Sequence, residues 1–386
     1  MKRIQTLIYV SVASVAVVMI PFVPSYADGA KGEVIVRIGS VAPLTGPNAH
    51  LGKDNENGTR MAIEEANARN ITIGGKRAKF ELISEDDQGD PKTATTVAQK
   101  LADMHVNGVI GHLNSGTTIP AAKIYYDAGI PQISPSSTAA AYTQQGFKTA
   151  FRVVANDLQQ GKVAGDFAIR RLGAKTVAIV DDATSYGQGL ADEFEKAAKA
   201  GGARVATREH TTNSATDFMA LLTRIRGKNV DLVFYGGMDA QSGPMLKQMK
   251  ALGMSAKFLT GSGGRTAQLI KLAGDAAEGA FGSKAGLPVE KMPRGEAFKN
   301  AFEKKYGEIQ NYAPYCYDAV NVMIEAMKEA DSVDPEKYLP KLAKISYDGV
   351  TGKFEFDDKG DLKLGYVTVS EIKAGKWEAL ESVSGK

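Results

Sequence analysis

From Val34 onward the chain alternates between short apolar runs and longer segments with helical spacing. The first run, Val34 to Val41, is followed by a segment from Gly52 to Asn67 whose apolar residues fall on one helical face. This alternation continues through two series separated by a polar break near Ala155. Such a pattern is typical of parallel strands with helices on both faces. The sequence therefore predicts the α/β class, with two lobes that are each a mostly parallel sheet flanked by helices.

The length of the chain supports two lobes, because 386 residues exceed what one ordinary hydrophobic core accommodates. The chain can pass between the lobes near Ala155, Ala285 and Lys363, which gives three crossings around a cleft that closes by hinge bending. The predicted organisation is a signal peptide at 1–27, a first lobe from 28–155 and 286–363, and a second lobe from 156–285 and 364–386.

Two consecutive apolar runs end in hydroxyl residues. Val109 to Leu113 leads through Ser115–Thr118 into a helical pattern, and Ile130 to Ser134 is followed by Ser136 and Thr138. Neighbouring parallel strands would bring both clusters to one edge of a sheet, where open α/β folds bind ligands. Backbone N–H groups at a helix start favour an anion. The pattern predicts a small-anion site, and the alternative is that these residues only cap helices.

Tyr186 occupies the corresponding strand-to-helix position of the second lobe, in the segment Ser185-Tyr186-Gly187-Gln188-Gly189. One interpretation is an exposed loop aromatic. The other is a side chain that closes over a bound ligand, and the matching position of the hydroxyl clusters in the first lobe favours it.

The first residues are predicted to be a targeting segment. Lys2 and Arg3 precede an apolar run from Leu7 to Ile20, and Ser25-Tyr26-Ala27 provides a small-x-small cleavage signal. Cleavage after Ala27 would leave an exported, soluble chain, and no cysteine stands at that point to carry a lipid anchor. The predicted location is the periplasm.

Composition excludes several classes of function. Without Lys2 and Arg3, 45 basic residues face 44 acidic ones, which argues against a nucleic-acid groove. Cys316 is the only cysteine, so an intramolecular disulfide is impossible, and the residue is predicted to be a buried small hydrophobe. The four histidines lack ligand spacing, and no nucleophile has a base in a recognisable motif. We predict no metal, no cofactor and no enzymatic activity, against the alternative of an exported hydrolase or transferase.

Six motifs resemble the branched-chain amino-acid-binding proteins of Gram-negative ABC importers. They are Ala42-Pro43-Leu44-Thr45-Gly46-Pro47, Ile110-Gly111-His112-Leu113, Ile133-Ser134-Pro135, Tyr186-Gly187-Gln188-Gly189-Leu190-Ala191, Tyr235-Gly236-Gly237 and Asp357-Asp358-Lys359-Gly360-Asp361-Leu362. The resemblance covers essentially the whole mature chain in order. It implies a type I periplasmic-binding fold, a monomer that captures a small amino acid, branched-chain or otherwise hydrophobic, and delivery of that ligand to an inner-membrane permease.

The resemblance also assigns site residues. Ser115 would hold the ligand carboxylate with Thr138 and the backbone at Ser136, the Ser136 carbonyl and Thr138 hydroxyl would take the α-ammonium, and Tyr186 would close from the second lobe. The implied lining of the side-chain pocket is Leu51, Leu113, Asn114, Met238 and Tyr312.

One position departs from the family. Ser262 stands where the family has an acid that pairs with the α-ammonium, while Arg265 and Lys284 lie nearby. Either another acid such as Asp239 substitutes, or the ligand is a carboxylate or amide without an α-ammonium. The two basic side chains favour the second hypothesis, unless they are solvated surface residues. A sensory binding protein that docks on a receptor is a further alternative to transport.

Overall fold

A computed structural model of the protein describes residues 32–385, and the predicted signal peptide lies outside them. The strands form two large sheets and one small one. The first sheet has the order β2-β3-β1-β4-β5-β6, and only β2 is antiparallel to its neighbour. Its strands are β1 Glu33–Ala42, β2 Thr72–Ile73, β3 Lys76–Asp86, β4 Gly108–Gly111, β5 Gln132–Ser134 and β6 Ala150–Arg152.

The second sheet has the order β15-β14-β11-β10-β9-β7-β8, with the last two strands of the chain antiparallel at one end. Its strands are β7 Thr176–Asp181, β8 Arg204–His210, β9 Leu232–Gly236, β10 Lys257–Thr260, β11 Phe281–Ala285, β14 Gly365–Lys373 and β15 Lys376–Gly385. The small sheet pairs β12 Tyr347–Asp348 with β13 Lys353–Phe354.

Twelve α-helices lie within residues 32–385. They are α1 Ala49–Ala68, α2 Pro91–Asp103, α3 Ser115–Asp127, α4 Ala141–Gln144, α5 Asp157–Arg170, α6 Ser185–Ala200, α7 Met219–Arg226, α8 Asp239–Ala251, α9 Ala267–Ala273, α10 Gly295–Tyr306, α11 Ala313–Glu329 and α12 Pro335–Leu342. In this described range no helix is both long and apolar enough to cross a membrane.

Helices cover both faces of the second sheet, which explains the all-apolar run in β7. Val177 and Ile179 pack into one hydrophobic cluster, whereas Ala178 and Val180 pack into another on the opposite face. A parallel strand buried on both sides shows a continuous apolar run instead of an alternating pattern. The two-lobed α/β fold predicted from the sequence is confirmed, and Cys316 is buried as predicted.

The chain moves between the two sheets three times: from β6 to α5, after β11, and from β13 to β14. In the section between the second and third passages, α11 packs on α1 and on β4 and β5 of the first sheet. We use "first lobe" for the first sheet with these helices, "second lobe" for the second sheet with α5 to α9, and "cleft" for the space between them.

A buried arginine joins the first and third passages. Arg152 donates two hydrogen bonds to Asp361 Oδ1, at 2.9 and 2.6 Å, and two more to the carbonyls of Ser137 and Ala139 at 3.1 and 2.8 Å. Asn156 Nδ2 donates to the other oxygen of Asp361 at 3.0 Å. This network therefore holds both passages and the turn between Ser137 and Ala139 in one arrangement.

Candidate ligand-binding cleft

Ser115 lies at the carboxyl edge of the first sheet, as the first residue of α3. Its Oγ accepts hydrogen bonds from the Ala139 N–H and the Ser137 hydroxyl, both at 3.2 Å, so its own O–H has no acceptor among residues 32–385. Asn114, which precedes the helix, makes no side-chain cap. The first N–H groups of α3 and the Ser115 O–H are therefore available to an anion.

Thr138 and Ser136 belong to the turn that follows β5, the strand paired with β4. Thr138 lies between the two residues that hydrogen-bond to Ser115, so the structure brings these two predicted site residues together. The Ser136 hydroxyl donates to the Leu113 carbonyl at 3.1 Å. Because that hydroxyl is used within the first lobe, the backbone of Ser136 is the part that can serve a ligand.

Tyr186 lies on the other side of the cleft, in the first turn of α6. Its hydroxyl accepts a hydrogen bond from the Gly263 N–H at 2.9 Å, and burial raises its pKa well above the usual value. A Cβ at Gly263 would come within 2.6 Å of Met238 Sδ and 3.0 Å of Tyr186 Cε1. Glycine at position 263 therefore lets Tyr186 and Met238 lie side by side at the wall of the cleft.

Tyr312 is fixed in the cleft by a buried carboxylate in α1. Asp54 accepts hydrogen bonds from the backbone N–H groups of residues 310–313, including Tyr312 at 2.6 Å. Burial raises the pKa of Asp54, and these four hydrogen bonds oppose the rise. Leu51, one turn earlier in α1, is fully buried in the same hydrophobic cluster as Leu113, Tyr186 and Tyr312.

The structure engages the hydroxyl of Ser262 within the protein. It donates to Gln160 Oε1 at 3.0 Å and accepts from the Ala285 N–H at 2.9 Å. A hydroxyl has a single proton to donate. In this conformation Ser262 therefore offers a ligand neither a charge nor a hydrogen-bond donor.

A cavity of about 370 Å³ lies between the lobes and reaches Asn114 from the first lobe and Tyr186 and Met238 from the second. Its remaining lining residues are Asn48, Gly89, Pro91, Gly116, Asp182, Ala183, Thr184, Ser185 and Asn213. Asn114 Oδ1 is buried and accepts no hydrogen bond from the described residues. A buried polar atom in this situation is a place for a ligand or solvent donor.

Asp157 is a cleft carboxylate that the sequence analysis did not single out. It is the first residue of α5 and only 1% exposed, and its N–H donates to the Thr138 carbonyl at 2.8 Å. Burial raises its pKa to about 7, against the opposing effects of the Thr138 hydroxyl and Arg152. An acidic residue in the first turn of a helix is common for reasons of helix stability, so the sequence alone gave no reason to choose it.

Asp239, the substitute acid considered from the sequence, joins the two lobes. His50 of α1 donates from Nε2 to Asp239 Oδ2 at 2.9 Å, and the Thr266 hydroxyl donates to the same oxygen at 2.6 Å. Asp239 Oδ1 is buried and accepts no hydrogen bond from the described residues. The contact between His50 and Asp239 is therefore part of what holds this conformation closed.

Replacing His50 with glutamine is expected to weaken ligand binding by about three- to tenfold, because one hydrogen bond specific to the closed conformation is lost. Stopped-flow measurement should show the change mainly in the dissociation rate. The matched control is His105→Gln, at an exposed turn after α2. Equal affinities for the wild type and His50→Gln would contradict a closing role for this contact.

The sequence pattern of the periplasmic binding protein family matches residues 35–376. The chain belongs to this family. The resemblance inferred from the six sequence motifs is therefore confirmed.

Curated relatives and solved structures of the family align over nearly the whole chain. The Leu/Ile/Val-binding protein homolog 1 of Brucella abortus is 37% identical over 356 residues, covering 92% of this chain and 93% of its own length. The leucine-, isoleucine-, valine-, threonine-, and alanine-binding protein of Pseudomonas aeruginosa is 35% identical over 352 residues, covering 90% and 93%. The structure of the branched-chain amino acid transporter substrate binding protein LivJ of Streptococcus pneumoniae in complex with isoleucine has a TM-score of 0.82 and 27% identity, covering 91% of this chain and 100% of that one.

Proposed function

We propose that this chain is the periplasmic substrate-binding subunit of an ABC importer and that its ligand is a small aliphatic α-amino acid. The observation that carries the proposal is the Ser115 site, an unused hydroxyl donor at an uncapped helix start, whose neighbours Asn114 and Gly116 line the same cavity as Tyr186. The ligands named for the two curated relatives support the same class. Family membership supports a binding role in place of catalysis.

The first lobe would bind the ligand carboxylate. The Ser115 O–H and the first N–H groups of α3 lie together at the start of one helix, and a buried carboxylate requires several such donors. The apolar side chains of Leu51, Leu113 and Met238 would receive the aliphatic side chain of the ligand. Tyr186 and Tyr312 would separate that side chain from solvent.

Asp157 is our choice for the group that balances the α-ammonium. Its carboxyl group lies beside the Thr138 hydroxyl, where the resemblance places the ammonium. The Oδ2 atom of Asp239 is already occupied by His50 and Thr266, so Asp239 is the second choice. A cationic ammonium beside Asp157 would lower the pKa of its carboxyl group and keep the charged form in the bound state.

A ligand without an α-ammonium is the second candidate, and the engaged hydroxyl of Ser262 favours it. The affinities for leucine and for its deamino analogue 4-methylpentanoate distinguish the two candidates. Both compounds are titrated by calorimetry into protein that has been stripped of ligand by unfolding and refolding. Binding of leucine at least about a hundredfold tighter would support the amino acid. Tighter binding of 4-methylpentanoate would overturn that choice, and no heat with leucine, isoleucine, valine or the analogue would overturn the ligand class.

Replacing Asp157 with asparagine is expected to weaken leucine binding at pH 8 by about tenfold or more, because the ammonium loses its counter-charge. Binding of 4-methylpentanoate should change little. The same variant should raise the Tm of the ligand-free protein at pH 8 by about 2–4 °C. A carboxyl group whose pKa is raised from 3.8 to about 7 in the folded protein lowers the stability of that protein as the pH rises from about 4 to 7. Asparagine has no such charge and removes this loss of stability.

At pH 4 both the wild-type carboxyl group and asparagine are uncharged in the folded protein, so the two melting temperatures should nearly coincide. Unchanged leucine affinity in Asp157→Asn at pH 8 would move the assignment to Asp239. The control Asp217→Asn changes an exposed acid of the second lobe and should alter neither quantity.

Delivery to an inner-membrane permease is the transport half of the proposal. Uptake of radiolabelled leucine by cells with and without this protein tests it directly. Lost uptake on deletion would support transport. Unchanged uptake with a lost behavioural response to leucine would instead indicate a sensory binding protein.

A further inference from the structure

A second cavity, of about 490 Å³, lies between the β11 end of the second lobe and the segment around α10, and it shares no lining residue with the cavity at Asn114 and Tyr186. Its inner wall carries Arg265 and Lys284, and Trp377 of β15 and the side chains of Ile270 and Ile309 also line it. We call it the Arg265 cavity. Lys284 is only 5% exposed, so the interpretation of this basic residue as solvated surface is wrong.

The Arg265 guanidinium is held in place mainly by an aromatic ring. Its Cζ lies 5.5 Å from the ring centroid of Trp377, and Nη2 donates a hydrogen bond to the Ser370 hydroxyl at 3.3 Å. Its Nε is buried and donates to no acceptor within residues 32–385. Burial lowers the pKa of Arg265 to about 10. The guanidinium therefore has a charged N–H donor, at Nε, that no acceptor in the described part of the chain uses.

Lys284 adds a second buried cation to the same wall. Its Nζ donates to the Asn311 carbonyl at 2.9 Å, and no carboxylate of the described residues forms an ion pair with it. Burial and the nearby charge of Arg265 lower its pKa to about 7, while Asp54 and Glu290 act in the opposite direction. The charges of Arg265 and Lys284 repel each other in this low-dielectric site, and an anion between them would remove that cost.

The acidic side chains around the Arg265 cavity are located towards its mouth. Glu290 is exposed and forms an ion pair with Lys299 at 3.2 Å, and Glu308 is exposed as well. Glu303 is only half-buried. These carboxylates would repel a ligand with several negative charges, whereas a single carboxylate could pass them and reach the two buried cations.

We propose that the Arg265 cavity binds a small monocarboxylate with an apolar body. The carboxylate lies between the Arg265 guanidinium and the Lys284 ammonium, where it receives charge-assisted hydrogen bonds. The apolar body contacts Ile270, Ile309 and the ring of Trp377. This site shares no lining residue with the cavity at Asn114 and Tyr186, and it does not depend on the function proposed for that cavity.

Trp377 is the only tryptophan in the chain, so its fluorescence reports on this cavity directly. Hexanoate is the probe, and hexanamide is its neutral control. In the presence of excess leucine, we expect hexanoate to produce a saturable change of Trp377 fluorescence. Hexanamide should bind about tenfold more weakly or not at all. Hexanoate should bind more tightly at pH 6 than at pH 8, because Lys284 is charged below its pKa of about 7.

Replacing Arg265 with glutamine should weaken hexanoate binding by about tenfold or more, and Lys284→Met provides a second test in case the first variant does not fold. Lys376→Gln, an exposed change at the mouth of the cavity, is the matched control and should have little effect. Ser115→Ala should leave the fluorescence response intact, whatever the cleft binds. Absence of a saturable response, equal binding of hexanamide, or loss in Ser115→Ala but not in Arg265→Gln would overturn the proposal.

Discussion

Replacing Ser115 with alanine is expected to weaken leucine binding by about 10- to 100-fold. The hydroxyl of Ser115 accepts two hydrogen bonds from its own lobe, and its proton is left for the ligand. A hydrogen bond to a charged group contributes about 1.5–3 kcal/mol, and each 1.4 kcal/mol corresponds to a factor of ten in affinity. Calorimetric titration of ligand-stripped protein at pH 8 measures the change.

The control for this variant is Ser242→Ala. Ser242 is also a fully buried serine, but its hydroxyl donates to the Met238 carbonyl within its own helical turn. Removing that hydroxyl should lower stability slightly and change leucine affinity by less than about twofold. An unchanged affinity in Ser115→Ala would mean that the ligand carboxylate is bound elsewhere.

The placement of Ser115 beside Thr138 could be predicted because it follows from local pattern and sheet topology. Each residue ends an apolar run, and consecutive runs in an α/β chain usually form adjacent parallel strands. The pairing of β4 with β5 then brings the two turns together. Tyr186 follows from the same rule applied to the second lobe, because it begins the helix after β7.

The contact between His50 and Asp239 could not be predicted in this way. The two residues are 189 positions apart and belong to different lobes, so their distance depends on how far the lobes close. No pattern in either segment encodes the relative position of the two lobes. The engagement of Ser262 has a different origin, because Ser262 and its partner Gln160 both belong to the second lobe but lie 102 positions apart, so their contact depends on how α5 packs on the sheet.

The burial of two charged groups, Asp157 and Lys284, also could not be predicted from the sequence. Asp157 follows a polar break and begins a helix, which by itself predicts an exposed acid. Its burial results from packing between the Thr138 turn and α6, which only the assembled lobes provide. Lys284 is buried for a related reason, because its strand, β11, lies inside the second sheet between β10 and β14.

Replacing Asp361 with asparagine is expected to lower the free energy of unfolding by about 3–5 kcal/mol, because a fully buried guanidinium loses the one carboxylate among residues 32–385 that forms an ion pair with it. Arg152 has no exposed surface, and Asp361 Oδ1 accepts two of its hydrogen bonds. Urea unfolding followed by circular dichroism measures the loss. Asp127→Asn, in an exposed ion pair with Lys123 on α3, is the matched control and should cost less than about 1 kcal/mol.

The same substitution should also weaken leucine binding, although Asp361 makes no contact with the predicted site residues. Arg152 holds the carbonyls of Ser137 and Ala139, and these two residues enclose Thr138 and supply the hydrogen bonds that orient Ser115. Releasing the guanidinium from Asp361 therefore loosens both halves of the carboxylate site. We expect leucine affinity to fall by about threefold or more in Asp361→Asn and to stay constant in Asp127→Asn. A variant that loses stability but keeps full affinity would show that the turn around Thr138 is held independently of the passages between the lobes.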